Sequence, residues 1–311
     1  MKHYNIAFVG MGSIGKRHLG NVCRLVNEKG DTCTIDLYRS SMSRDLPLSI
    51  TSLVANQYLC SDPVTKHYDM VFITNPTFMH RQTIERFQGH TDAFFIEKPV
   101  FDTAIGDLSA FDDVPSYVAC PLRYNPVLQH IKQHISIPDV ISVRAISSSY
   151  LPDWRPGQDY RQSYSAHSDM GGGVDIDLIH EWDYLTWIFG MPDKCFGIAK
   201  KYSRLEIDSN DIAVYIARND RMTFELHLDY FGRKTQRILE IFMHDDTIRC
   251  DLIGGTISFL KKGRTLSFNS QRNAYQLAEI SHFFDIADGR IPNDSNIMHA
   301  NNVLKLAQAK I

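Results

Sequence analysis

A glycine triplet set between a strand and a helix limits most tightly what this chain can fold into. Asn5, Ile6, Ala7, Phe8 and Val9 form a short, mostly apolar run, and Gly10-Met11-Gly12-Ser13-Ile14-Gly15 follows at once. Residues 16–28 then place Leu19, Val22, Leu25 and Val26 on one helical face. A G-x-G-x-x-G string is a weak signal alone; with a strand before it and a helix after it, it reads as a phosphate-binding turn. Gly10 permits the tight turn, Gly12 lets a pyrophosphate approach the backbone, and Gly15 lets helix and strand pack closely. The helix start adds free N–H groups and the positive end of its dipole. Gly10, Gly12, Ser13, Ile14 and Gly15 are therefore the expected contacts of a dinucleotide.

The 311 residues exceed one ordinary core and predict two domains, residues 1–120 and 121–311. A net charge of −3 gives no electrostatic case for nucleic acid or a membrane surface. No run of about eighteen apolar residues is present, so nothing is expected to span a bilayer. The N-terminus shows no signal-peptide pattern. The six cysteines (Cys23, Cys33, Cys60, Cys120, Cys195 and Cys250) have neither C-x-x-C nor metal-ligand spacing. Reduced thiols, a cytoplasmic location and no metal are the expectation.

The second strand, residues 34–38, should read the adenosine ribose. An NAD-selective fold usually ends that strand on an acid, about twenty residues past the glycines. Arg39 and Ser40 stand there, with Ser41 and Arg44 beyond. A guanidinium and hydroxyls suit a 2′-phosphate, so the residues favour NADP over NAD. Asp36, earlier in the strand, is the alternative reader. Residues 69–74 form the next buried strand and deliver Thr74, Asn75 and Pro76, with His80 opening a helix. The apolar run 93–96 ends in Glu97-Lys98-Pro99, placing an amine at the carboxyl edge of the sheet, where ligands of open α/β sheets bind. Residues 103–111 read as a short helix and 117–120 as a strand.

Past residue 121 the pattern shifts. Residues 127–135 predict a helix and 140–149 a strand. An aromatic, charged loop follows, carrying Tyr150, Trp154, Arg155, Tyr160, Arg161 and Tyr164. Its prolines forbid a regular element, and long irregular loops of this kind are commonly functional. Aromatic faces stack on sugar rings, and Arg155 or Arg161 can take a carboxylate or phosphate bidentately. Gly171-Gly172-Gly173 precedes a predicted helix over residues 174–189, with Leu178, Trp182, Leu185 and Phe189 on one stripe and Asp177, His180 and Tyr184 on another. Seven strands follow, and Met222, Phe224, Leu226, Leu228 and Tyr230 alternate with polar residues, as a half-buried antiparallel sheet requires. Residues 275–287 and 300–309 close the chain as helices.

The order G-x-G-x-x-G, then T-N-P with a histidine four residues past the proline, then E-K-P, then GGG before Asp177 and His180, resembles the Gfo/Idh/MocA oxidoreductases (glucose–fructose oxidoreductase, inositol dehydrogenase and relatives). Pro121-Leu122-Arg123-Tyr124-Asn125-Pro126 is similar to the family's entry into its second domain. The resemblance spans nearly the whole chain. It implies a doubly wound parallel Rossmann sheet followed by an α+β domain with a large, mostly antiparallel open sheet, whose uncovered face makes a homodimer or homotetramer. It also implies cofactor contacts at Thr74, Asn75, Pro76, His80, Glu97, Lys98 and Arg123, a substrate contact at Tyr124, and a catalytic role for Lys98, often with a cis bond to the proline. Relatives often space the helix pair as D-x-x-x-H; here two residues separate Asp177 from His180, and Asp183 is a possible substitute.

The chemistry expected is reversible hydride transfer between a nicotinamide and a secondary alcohol or ketone of a sugar. The hydroxyl proton needs a base in one direction and an acid in the other. His180 takes that role with Asp177 orienting it and Lys98 as electrostatic partner, or Lys98 and His180 exchange roles. The aromatic loop resembles members encoded with bacterial surface-polysaccharide genes, which implies a nucleotide-linked or acidic sugar. The alternatives are a glycosidase that uses the cofactor transiently and a non-catalytic NAD(P)-binding sensor or co-repressor; both Lys98 and His180, which such sensors commonly lose, are present.

Overall fold

The computed structural model describes residues 1–43, 45–269 and 271–309. The chain divides into two compact units, Met1–Pro121 with Asn273–Asn301, and Leu122–Arg272 with Asn302–Ile311.

The first unit opens with β1 (His3–Val9), α1 (Ser13–Glu28) and β2 (Thr32–Arg39), continues through the short α2 (Leu48–Thr51) and β3 (Asn56–Leu59), and then adds β4 (Met70–Ile73), α3 (His80–Phe87), β5 (Phe94–Ile96) and β6 (Ser116–Val118). All six strands are parallel in the order β3-β2-β1-β4-β5-β6. The chain leaves β1 toward β2 and β3, then returns to add β4 on the opposite side. That reversal is the topological switch point, and ligands of such sheets bind at the carboxyl ends beside it. Strands β4 and β5 are buried along their full length, as a sheet covered on both faces demands. Residues 103–111 form bends and a single 3-10 turn (Ser109–Phe111) in place of the expected helix. Gly106 and the Asp residues around it favour local turns over helix there. The pieces α2 and β3 carry little apolar periodicity and were not expected.

The second unit comprises α4 (Pro126–His134), β7 (Val140–Tyr150), α5 (Val174–Asp177), α6 (His180–Phe189), β8 (Lys194–Lys200), β9 (Ile212–Arg218), β10 (Thr223–Asp229), β11 (Phe231–Met243), β12 (Thr247–Asp251), β13 (Thr256–Phe259) and β14 (Arg264–Ser267). Eight strands form one sheet, β14-β13-β12-β11-β7-β10-β9-β8, antiparallel except where β10 meets β7. Helix α6 packs on one face, with Trp182 edge-on to Tyr215 at 5.5 Å. The opposite face exposes Phe196, Ile198, Val214 and Ile216. The helix expected over residues 174–189 is two helices, broken at Leu178 and Ile179, where Leu178 leaves the helical region at φ −100° and ψ 26°.

After β14 the chain runs through α7 (Arg272–Ala287) and α8 (Ile297–Ala307). Residues 273–301 belong to the first unit, whereas the boundary expected from the sequence places all of residues 121–311 in the second. Ile280, Phe283 and Phe284 of α7 join the core of the parallel sheet, and Phe283 lies edge-on to Phe72 at 5.5 Å. An apolar helix stripe does not say which of two sheets it will cover.

Candidate active site

Three strand ends meet at the switch point of the first unit. Gly10 follows β1 with φ +91°, a conformation costly for any side chain, and a Cβ there would fall 2.7 Å from the Asn75 backbone. A Cβ on Gly15 would fall 2.7 Å from Thr74 Oγ1, so the helix can close on the sheet only without one. A Cβ on Gly12 would meet nothing within 4 Å, which leaves its backbone open to a ligand. The first turn of α1, which includes Ser13, Ile14 and Gly15, carries no acidic residue and Gly12 offers no side-chain cap, so the positive end of the helix is unscreened.

The end of β4 supplies a polar cradle. Thr74 Oγ1 donates to the Gly10 carbonyl at 2.9 Å. Pro76 begins the turn into α3. His80 is 1% exposed and its two ring nitrogens lie 3.2 and 3.0 Å from the carbonyls of Val100 and Asn75. Burial lowers its pKa, against the raising effect of those carbonyls. The ring is thus a staple of the cradle, and its contacts are to the protein backbone. Asn75 Nδ2 donates to Thr83 Oγ1 at 2.8 Å, and the Thr83 hydroxyl donates onward to the Met79 carbonyl. That onward bond fixes the amide orientation. Asn75 Oδ1 remains, buried and without a hydrogen-bond partner. A buried acceptor left unpaired costs free energy unless a ligand donor reaches it.

Strand β5 ends at Glu97 and Lys98, both half-buried, and the Lys98–Pro99 peptide is cis, as the resemblance implied. Glu97 N–H donates to the Ile73 carbonyl at 3.0 Å, tying this end to β4. Its carboxylate faces His18 of α1, with Nε2 2.5 Å from Oε1, and Oε2 accepts the Lys98 backbone N–H at 3.2 Å. Burial pushes the Glu97 pKa up, but the contact with His18 and the Lys98 cation more than reverse this and leave it lowered. Sequence reasoning missed His18; the available signal was an imidazole on the buried stripe of α1, three residues past Gly15.

At the end of β2, Arg39 Nη1 donates to Gln57 Oε1 at 3.0 Å and Ser40 is exposed. Arg44 lies outside the described residues. Asp36 is 2% exposed and bonded to Asn56 Nδ2, Lys66 Nζ and the Tyr68 hydroxyl. Its oxygens serve the protein, so it is not placed to read a ribose, the alternative the sequence left open.

In the second unit, His180 is the first residue of α6 and half-buried. Asp177 closes α5 and accepts hydrogen bonds from the hydroxyls of Tyr164 and, at 2.5 Å, Tyr230. Burial first, then the Asp177 charge, raises both phenols well above their ordinary pKa, so they stay protonated donors. Tyr230, in the sequence only the last apolar position of an alternating strand, lies one residue past the end of β10. Gly172 admits backbone rather than ligand: a Cβ there would fall 2.7 Å from the His167 carbonyl. Asp183 and Arg123 form a buried pair, Nε to Oδ2 at 2.9 Å and Nη2 to Oδ1 at 2.6 Å, and the guanidinium lies over Trp187 at 5.6 Å. The cofactor contact expected of Arg123 and the substitute role considered for Asp183 thus meet a guanidinium and a carboxylate held by each other.

The aromatic loop folds as a series of 3-10 turns around a cavity of about 510 Å³, lined by Leu151, Trp154, Arg155, Gln158, Tyr160 and Ser163 among others. Trp154, Arg155 and Tyr160 are thereby brought together; Tyr124, Tyr150, Arg161 and Tyr164 do not line it. Tyr124 ends a 3-10 turn before α4. Tyr150 stacks under Arg233, 3.9 Å from its ring centre, and Arg161 pairs with Asp159 and Glu206 on the surface. Among the described residues no cluster of three metal-ligating side chains occurs and no helix is long and apolar enough to cross a membrane.

No family model matches the chain. An uncharacterized oxidoreductase of Bacillus subtilis (strain 168), YrbE, is 25% identical over 190 residues, 58% of this chain; the match spans about half (52%) of that relative's length. Solved structures superpose over nearly the whole chain. Levoglucosan dehydrogenase in complex with NADH and levoglucosan gives a TM-score of 0.81 at 16% identity, covering 99% of this chain and 96% of that one. The scyllo-inositol dehydrogenase of Lactobacillus casei with NAD(H) and scyllo-inositol gives 0.76 at 18%, covering 99% and 96%. The UDP-N-acetylglucosamine 3-dehydrogenase GnnA of Acidithiobacillus ferrooxidans gives 0.72 at 16%, also covering 99% and 96%. The fold is that of these dehydrogenase structures, a parallel six-stranded sheet joined to a large, mostly antiparallel one, as the sequence resemblance implied.

Proposed function

We propose that this chain is an NAD(P)-dependent oxidoreductase that transfers a hydride between the nicotinamide and a secondary alcohol or ketone of a sugar or sugar derivative. The observation that carries the reading is the switch point of the first unit. An open glycine turn ends β1, a buried unpartnered acceptor ends β4, and an amine ends β5. Those features fit a dinucleotide: Gly12 and the start of α1 take the pyrophosphate, and Asn75 Oδ1 accepts from the ligand. When bound, the nicotinamide supplies the hydride acceptor or donor. The likeness to dehydrogenases solved with NADH or NAD(H) supports the same choice.

His180 exchanges the proton of the substrate hydroxyl, and the Lys98 ammonium stabilises negative charge on that oxygen. Asp177, held by two tyrosine hydroxyls, is the carboxylate assigned to orient that imidazole. The substrate is a nucleotide-linked or acidic sugar: Trp154 and Tyr160 offer ring faces in the loop cavity, and Arg155 is the cation of its lining. The cofactor is NADP(H) in preference to NAD(H), because Arg39 and Ser40 end β2 and its carboxylate is engaged elsewhere. The exposed Phe196, Ile198, Val214 and Ile216 support a homodimer through the open sheet face.

The test is a thermal-shift screen with both cofactors and a panel of sugar nucleotides, followed by turnover of Lys98→Met. A ligand of the folded state raises the melting temperature by mass action. We expect cofactor binding to survive in Lys98→Met and turnover to vanish. Full turnover in that variant removes Lys98 from the mechanism.

A further inference from the structure

His18 is fully buried on α1, edge-on to Phe95 of β5 at 4.9 Å, among positions otherwise filled by Leu19 and Val22. An aliphatic side chain would fill such a site without desolvating a polar ring. The imidazole leaves Nδ1 buried with no hydrogen-bond partner and makes one polar contact, from Nε2 to Glu97 Oε1 at 2.5 Å. Nε2 is thus the ring's hydrogen-bonding nitrogen, and it donates to the Glu97 carboxylate, which can only accept. The unpaired nitrogen opposes folding, and the bond to Glu97 is what the ring provides in exchange. Glu97 in turn holds the backbone N–H of Lys98 with its second oxygen, 3.2 Å away.

We propose that His18 is a positioning residue: through Glu97 it fixes the backbone of Lys98, and so ties the helix behind the glycine turn to the direction of the amine. This rests on the reading of Lys98 as a participant in the reaction. Helix α1 begins at the turn proposed to carry the pyrophosphate, so one imidazole links the seat of the cofactor to the group beside the reacting carbon. Removing the Nε2–H donor takes from the half-buried Glu97 carboxylate its bond to α1, one residue from the amine. A carboxylate free to reorient no longer holds the Lys98 peptide in its present place.

The test uses the full chain and compares His18→Leu, His18→Asn and His18→Gln. Leucine fills the space without a donor, asparagine carries an amide too short to reach Glu97, and glutamine places an N–H near the position of Nε2. Reductive methylation with isotope-labelled formaldehyde gives every lysine an NMR signal, and Lys98→Met identifies that of Lys98. We expect the Lys98 signal to shift in the leucine and asparagine variants and to return in the glutamine variant, with the other lysines unmoved. With a sugar substrate found in the screen above, the same two variants should lose kcat by roughly tenfold to a hundredfold at little change in KM, as expected of misplacement without lost binding. An unchanged Lys98 signal, an equal shift in the asparagine and glutamine variants, or failure of all three to fold overturns the proposal. Turnover in Lys98→Met refutes the role of Lys98 itself, whichever way the His18 variants behave.

Discussion

Lys66 Nζ lies 2.7 Å from Asp36 Oδ2, closing off the one carboxylate that β2 possesses. Asn56 and Tyr68 complete its hydrogen bonds. The strand therefore presents Arg39 and Ser40 at its carboxyl end, with no acid to repel a 2′-phosphate.

Cofactor choice follows from that arrangement. A hydrogen bond to a charged group contributes about 1.5–3 kcal/mol, so Arg39→Ala should weaken NADPH binding roughly tenfold to a hundredfold. NADH binding should barely change. Fluorescence titration of both reduced cofactors measures this; an equal loss for both, or wild-type protein that prefers NADH, contradicts it.

The Arg123–Asp183 pair makes a stability prediction in the second unit. Both side chains are nearly inaccessible, 2% and 7% exposed. Removing one partner leaves a buried charge uncompensated, and Arg123→Met or Asp183→Ala should cost about 3–5 kcal/mol. The double variant should be less damaging than the sum of the two. Urea unfolding of all four proteins gives the cycle, and additive losses would show that the pair is not coupled.

His80 gives the chain an acid-sensitive term. Burial depresses its folded pKa below the ordinary value. The unfolded chain therefore binds the proton first, and stability falls as pH drops below about 6.5 and levels off once the folded ring titrates. In His80→Asn that part of the slope should disappear. Denaturation midpoints from pH 7.5 down to about 5 in both proteins decide it, and parallel curves exclude the histidine.

Phe196 and Ile216 stand opposite each other on β8 and β9, 59% and 63% exposed on the uncovered face. An apolar cluster of that kind on an open sheet is what the proposed homodimer would bury. Light scattering should find a dimer or larger assembly for the wild type and a monomer for Ile216→Lys. A wild-type monomer at micromolar concentration refutes the surface assignment.

Much of this was legible in order along the chain. Local periodicity gave the strand ending at Gly10, the helix after it, the buried run before Glu97 and the alternation on β10, because each depends on neighbours a few residues away. The helix over residues 174–189 misled, since its apolar stripe continues through a break at Leu178 and Ile179 that side-chain pattern does not register. The helix expected over residues 103–111 likewise had some of the pattern and none of the packing.

Sequence by itself determined the strand–turn–helix opening, the two-sheet architecture and the residue types at each strand end. Tertiary structure alone decided which partner each buried polar group took. Asp36 found Lys66 across 30 residues, Arg123 found Asp183 across 60, and His18 found Glu97 across 79. Backbone preference acts between near neighbours, whereas a buried charge is settled by whatever the folded chain brings within about 3 Å of it, and no local pattern carries that information.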